Sequence, residues 1–415
     1  MLTVSAQWIV PVTGPPIRNG CISIDRGRIK GVSADVPRDA TALGDVAILP
    51  ALVNTHTHLE LSFLRGRVPP CDNFNEWVST LMAVRRAQGA DPNAPEIRHA
   101  ARQAIAQARV SGTGLVGDVS NTLVTVDLLR EAQMPAHVFY EQLGFNLTDV
   151  PSKIAQAMVV LAGMKADVDD DAVHVSLAPH APYSVAPALF TAIRQQVDAS
   201  RHPITTVHLG ESKQEVDLLR DGTGPARVML ERLGVWTDTW RPPGVSPVAY
   251  LDDLDFLDAR TLVVHGVQFD ADDLARLKAI GATLVSCPRS NVYVGVGSPP
   301  LEAFYASGID VAFGTDSLTS VGDLNMFNEL AEARRIARHV APHRLLESAT
   351  LVGARALGFD RECGSIDAGK RAALITVRVP AHVDDVEEYL VGGVEPAAIE
   401  WLDLTTPNTQ LPIPK

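Results

Sequence analysis

A chain of 415 residues with 46% apolar and 20% charged residues can bury a large core and exceeds the usual single-domain size, which excludes a disordered polypeptide and predicts one large domain with a smaller one. The formal net charge of −13 repels phosphate backbones and no Lys/Arg run makes a local basic patch, so nucleic acid is not an expected partner. No apolar run reaches the length of a membrane span, and the N-terminal MLTVSAQWIVPVTGPP lacks a basic leader; no membrane association is expected, and the cytoplasm is the default location.

Residues 1–48 alternate β-type runs with turn residues, as in NGCISIDRGRIKGVSA. The rhythm then changes to short apolar runs that end in polar residues and are followed by Ala/Leu-rich helical stretches. The runs that predict strands are Ala51 to Thr57, Thr113 to Val119, Ala136 to Gln142, Val173 to Ala178, Ile204 to Leu209, Thr261 to Gly266, Ala282 to Cys287 and Val311 to Gly314. Helices are expected between them, among others Asn75 to Ala87, Pro95 to Val110, Ala186 to Val197, Ala271 to Ile280, Asp323 to Val340 and Pro342 to Leu357, with Asp270 and Asp323 as caps. Eight parallel strands with helical crossovers are the pattern of a (β/α)8 TIM barrel, an α/β fold. Residues 363–415 return to β-type runs. The expected division is a barrel over 50–362 and a small β-sandwich built from 1–49 and 363–415. Cys21, Cys71, Cys287 and Cys363 lie far apart with no CxxC pair, so free thiols are expected.

The residues with chemical interest cluster where the strands end. A barrel's strand C-termini converge on one mouth, so residues distant in sequence become neighbours there. His56-Thr57-His58 is an HxH in extended chain, which points both imidazoles to one side. Singly, His208 reads as a core histidine and Asp316 as a turn residue. On strands 1, 5 and 8 of one barrel, however, His56, His58, His208 and Asp316 make a ligand set for one divalent ion with a position open for water, Zn²⁺ first and Fe²⁺ as the alternative. Such an ion makes a usable nucleophile of water near neutral pH, and a deamination also needs proton transfer. Glu211, just past His208, is placed to shuttle the proton, and His265, ending the LVVHG strand, to orient the water or stabilise charge. There is no HExxH, GxxxxGK[ST] or GxSxG motif, and the HxE at His58 lacks the PCxxC that would make it a cytidine-type deaminase.

HTHLELSFLRG, PHAPYSV, VHLGES, VVHG, SCPRSN and GTDS, in this order, resemble the cytosine-deaminase-like and chlorohydrolase-like branch of the amidohydrolase superfamily. GSIDAGKRAALI is similar to that superfamily's terminal β-sandwich, with Ala373 where Asp is usual. The resemblance implies metal binding by His56, His58, His208 and Asp316, and proton transfer and intermediate stabilisation by Glu211 and His265. It also gives Asp316 a second role in proton transfer and sets His180 on the substrate ring. The two-metal members use a carboxylated lysine on strand 4, and none stands between Ala172 and Pro182, so one ion is implied. Within the branch the chain looks like enzymes that deaminate adenine rings, with two competing groups. The methylthioadenosine/adenosylhomocysteine deaminases carry a ribose-binding Glu nine residues after the Trp of the EW pair, where this chain has Arg86 after Trp77. They also carry an Arg after strand 3, where this chain reads EQLGFNLTD. HLELS and GTDSLTS look more like the aminodeoxyfutalosine deaminases, and that is the expected substrate.

The benzoate of aminodeoxyfutalosine would need a cation, for which Arg86 and Arg289 are the candidates. Glu60, Trp77, Glu141 and Ser317 complete the expected substrate contacts. Other aminated heterocycles, and hydrolysis of an amide or chloro-substituted ring on the same scaffold, stay open. A binding protein on a dead barrel is the reading from another class, against which the intact ligand set argues. A small-molecule substrate is the expected partner; a homo-oligomer is left open.

Overall fold

The N-terminal β-type runs become β1 (Leu2–Ile9), β2 (Ile17–Asp25), β3 (Arg28–Ser33), β4 (Thr41–Ala42) and β5 (Val46–Pro50) in the computed structural model, which describes residues 1–87, 91–165 and 172–402. After the single residue Ala51 the chain enters β6 (Leu52–Thr57), and the seven strands that follow are β7 (Thr113–Ser120), β8 (Ala136–Gln142), β9 (Val173–Pro179), β10 (Thr205–Leu209), β11 (Thr261–His265), β12 (Thr283–Ser286) and β13 (Asp310–Phe313). Each coincides with an expected run to within a residue at either end. The last strands are β14 (Leu374–Arg378) and β15 (Ile399–Trp401).

The parallel strands form two four-stranded sheets, β6-β7-β8-β9 and β10-β11-β12-β13. Helices cover their outer faces, so the strands are buried on both sides and read as near-continuous apolar runs. The two sheets approach each other at both edges. At one, the Thr205 hydroxyl donates to the Leu177 carbonyl at 2.9 Å and the His208 N–H to the His180 carbonyl at 2.9 Å. At the other, Asn54 and Thr315 exchange two hydrogen bonds, and the Asp316 N–H donates to the His56 carbonyl at 3.0 Å. Gly314 makes that approach possible, because a Cβ there would lie 2.7 Å from the His56 Cβ.

The two ends of the chain meet. β14 pairs antiparallel with β5, from Leu374 opposite Pro50 to Arg378 opposite Val46. All terminal strands join one seven-stranded sheet of order β15-β14-β5-β1-β2-β3 with β4 on β1, so the two layers expected of a sandwich are not separate sheets. Val4, Ile22, Ile24, Ile29, Ile48 and Leu374 pack as its core.

The Pro95–Val110 and Ala271–Ile280 helices match their expected bounds, and Asp270 caps the second through the N–H groups of Asp272 and Asp273. The helix expected over Asp323 to Val340 is confined to Met326–Ile336. Asn325 is its cap, because the Asp323 carboxylate is taken by Arg289 at 3.1 Å. The Pro342 to Leu357 stretch is helical but passes through a π turn at Ser348–Val352. The C-terminal β-type region also holds a short helix, Val386–Val391. The expected segment beyond 402 lies outside the described residues. All four cysteines are free, and no helix of the described residues is long and apolar enough to cross a membrane.

Candidate active site

Each chemically important side chain is delivered by the C-terminal end of a parallel strand, and the turns that follow are tied down. After His58 the chain folds into a short 3-10 turn over Leu59–Leu64. Asp118, buried at the end of β7, accepts from the Leu59 N–H at 2.8 Å and the Thr125 hydroxyl at 2.6 Å and so fixes the exit of His58. Glu215 accepts from the Gly210 N–H at 3.1 Å and the Glu211 N–H at 3.3 Å, which sets the backbone after His208. Gly210 is in the left-handed region (φ 62°), and a Cβ there would meet the Phe269 ring at 2.2 Å. His265 (φ 80°) and Asp316 (φ 62°) are left-handed without being glycine. Strain of this kind persists where the surroundings over-determine it, and it clusters at functional sites.

The imidazoles of His56, His58 and His208 converge. Ring centroids lie 4.9 Å apart for His56 with each of the others and 5.4 Å for His58 with His208. His58 Nε2 and His208 Nε2 are 3.3 Å apart. Asp316 Oδ1 lies 3.6 Å from His58 Nε2 and 3.9 Å from His56 Nε2. His56 Nε2 is buried with no hydrogen-bond partner among the described residues. Two ligand atoms each about 2.0–2.1 Å from a tetrahedral zinc stand roughly 3.3 Å apart, so the spacing and the orphaned nitrogen fit one divalent cation. His208 Nδ1 lies 3.1 Å from the His180 carbonyl. A carbonyl only accepts, so the proton is on Nδ1 and Nε2 is free to ligate. Burial first, then the neighbouring imidazoles, holds His56 well below the usual imidazole range; His58 is lowered to about 3 and His208 to about 4, also by burial first. All three are therefore neutral near pH 7, the form a metal takes.

Further buried titratable groups stand around this set. Asp316 Oδ2 accepts from the Ser290 hydroxyl at 2.7 Å and Oδ1 from the Ser317 N–H at 2.8 Å. Burial raises its carboxyl above the usual range. Glu211 is pushed well above it, by burial first and then by Asp316 and Glu215. Its Oε1 lies 3.7 Å from His265 Nε2, while His265 Nδ1 faces the Asn291 amide at 3.0 Å. His180 Nδ1 meets the Ser184 hydroxyl at 2.6 Å, and that hydroxyl donates onward to the Ala181 carbonyl. The ring thus presents Nε2 as an acceptor. Burial, then Arg85, lowers His180 to about 4.

A cavity of about 460 Å³ opens over these groups, lined by His58, Trp77, Glu141, His180, His208, Glu211, His265, Asp316 and Ser317 together with apolar side chains. His56 lies beneath, almost wholly buried. Three expected substrate contacts are placed elsewhere. The Glu60 carboxylate accepts from the Ser120 hydroxyl, the Asn121 and Thr122 N–H groups and the Thr122 hydroxyl, so it holds the turn after β7 instead of facing the cavity. Arg289 is taken up by Glu329 at 2.6 Å and Asp323 at 3.1 Å, bonds that brace the segment presenting Ser290. Arg86 is not among the residues lining this cavity, whereas Arg85 is. Arg85 donates to the Asn121 side-chain oxygen at 3.2 Å and lies 3.5 Å from Glu60. Arg85, Asn121, Tyr183 and Ser184 were not found from the sequence. Arg85 had a signal: with about 100° per helical residue it shares the face of Phe74, Trp77 and Leu81, and Arg86 turns away.

The chain is similar to known proteins over most of its length. The family profile described as "Amidohydrolase family" matches residues 47–397. A 5-methylthioadenosine/S-adenosylhomocysteine deaminase of Moorella thermoacetica is 29% identical over 405 residues, covering 92% of this chain and 88% of its own. An aminodeoxyfutalosine deaminase of Deinococcus radiodurans is 29% identical over 337 residues, covering 78% and 76%. Among solved structures, an adenosine deaminase from Xanthomonas campestris with bound zinc superposes with a TM-score of 0.80 at 26% identity, over 96% of this chain and 90% of that one. The family match spans β6 to β13 and all the residues gathered at their ends, and the chain belongs to the amidohydrolase family.

Proposed function

We propose that this hydrolase of carbon–nitrogen bonds deaminates the adenine ring of a nucleoside, and that its preferred substrate bears an anionic aromatic substituent, as aminodeoxyfutalosine does. We read the two parallel sheets as one closed barrel over 50–362, with 1–49 and 363–415 as a separate small domain. One observation carries the reaction: Glu211, His265 and Asp316 face the same cavity floor as the converging imidazoles.

His56, His58, His208 and Asp316 would hold one ion, zinc by the character of the donors, and when bound it supplies an acidified water and a Lewis acid. Glu211 takes the water's proton and delivers it to the ring nitrogen beside the reacting carbon, a transfer its raised affinity for protons suits. His265 stabilises the negative charge that develops at the attacking oxygen. Asp316 takes the second proton of the water and passes it to the amino group as the carbon–nitrogen bond breaks, so that water and adenine become hypoxanthine and ammonia. His180 Nε2 accepts from or stacks beside the ring.

The relatives named for methylthioadenosine and for aminodeoxyfutalosine are equally identical to this chain, so identity does not choose between them. Arg85 favours the second, because a guanidinium in a cavity walled by Phe74, Trp77 and Phe145 suits an aromatic carboxylate. The Arg85→Met variant should lower kcat/KM for aminodeoxyfutalosine about 10-fold to 150-fold, the value of a charge-assisted bond, and change methylthioadenosine turnover less than about 3-fold. Steady-state ammonia release measures both. Equal losses would assign Arg85 to holding Glu60 and Asn121, and a wild-type preference for methylthioadenosine would favour the other substrate.

A further inference from the structure

Glu141 ends β8 and lines the cavity, yet the reaction outlined above does not use it. Its residue is 7% exposed. Oε2 is held by the Asn121 amide at 2.8 Å. Oε1 is buried with no hydrogen-bond partner among the described residues. A buried carboxylate oxygen without a donor is costly, and a native site retains one where a ligand supplies the donor. Oε1 also lies 3.6 Å from His208 Nδ1, and with His180 and His208 it forms a group close enough to hold an ion. That use is disfavoured because the His208 Nδ1 proton already goes to the His180 carbonyl.

Strand order says what the donor is. Glu211, His265 and Asp316 follow β10, β11 and β13, whereas Glu141 stands on β8 in the other sheet. An adenine ring held with its amino group toward the first three would have its sugar-bearing side nearer the second sheet, on which Glu141 and His180 stand. Apart from the reacting amine, the hydroxyls are the strong donors of an adenine nucleoside. We propose that Glu141 Oε1 accepts a hydrogen bond from the 2′- or 3′-hydroxyl of the substrate's sugar, with Asn121 as the group that positions the carboxylate. This rests on the nucleoside reading above. It places the acceptor on a strand end, where an acid on the helix after β6 would otherwise be sought and where this chain has arginines.

The test is a cycle of two substrates, adenosine and 2′,3′-dideoxyadenosine, against wild type, Glu141→Ala and Glu141→Gln, read as kcat/KM for ammonia release together with metal content. Wild type should favour adenosine about 10-fold to 150-fold, as expected when a hydroxyl pairs with a charged acceptor. Glu141→Ala should lose that factor on adenosine and stay within about 3-fold of wild type on the dideoxy substrate. Glu141→Gln, which keeps the shape and can still bond a hydroxyl, should fall between. The metal content should be unchanged in all three. Equal losses on both substrates, no wild-type discrimination, or loss of metal from Glu141→Ala would overturn the assignment. Should the alanine variant fail to fold, the glutamine variant decides by the same ratio. If wild type releases no ammonia from any adenine nucleoside, aminodeoxyfutalosine included, the nucleoside reading itself fails; if it releases ammonia from both probes alike, only the role of Glu141 does.

Discussion

Exchanging Glu211 for glutamine is expected to lower turnover by about 100-fold to 10,000-fold while leaving the fold and the metal in place. The amide matches the carboxyl in size but cannot take up and release a proton. The main chain at this point does not depend on the Glu211 side chain, because Glu215 binds the Gly210 and Glu211 N–H groups. Burial and the facing carboxylates make a charge costly there, so the uncharged amide is tolerated. Turnover and metal content measured on one preparation check this. A variant that kept more than about a tenth of wild-type turnover would move the proton relay to another residue.

Replacing His208 by alanine acts at an earlier step. The wild-type chain is expected to hold one divalent ion, because the four donors satisfy one ion and no lysine stands on β9 to bridge a second. The alanine variant should retain little of it, and turnover should fall about 1000-fold or more, because the water loses the acidity that a bound ion would lend it. Chelation of the wild type should give the same loss, reversed by added zinc; in the variant, added zinc should not restore activity. Elemental analysis showing two ions per chain would contradict the ligand assignment.

The strands could be read from the sequence for a physical reason. Buried on both faces, they appear as apolar runs such as LVVH and TLVS, and their polar exits mark the end of the sheets where the site lies. The converging imidazoles followed from that placement, since a strand end fixes where its next residue stands. Side-chain partners were harder to read. Asp323 looks like a helix cap in one dimension, but Arg289 arrives from a distant segment and claims it. Glu60 reads as a substrate contact, whereas its carboxylate is taken by Ser120, Asn121 and Thr122 after β7 and by Arg85. Counting from Trp77 points to Arg86, whereas the helix turns Arg85 toward the cavity. The left-handed backbone of His265 carries no compositional mark, because it is imposed by tertiary contacts.

The central claim is that this cavity removes ammonia from an adenine ring. The direct measurement is product analysis of the zinc-loaded protein incubated with aminodeoxyfutalosine, methylthioadenosine and adenosine, with a chloro-substituted ring and an amide as controls. Equimolar ammonia and hypoxanthine-ring product from at least one nucleoside, abolished by chelation, is the expected result. Chloride or carboxylate release from the controls, with no ammonia from any nucleoside, would contradict it.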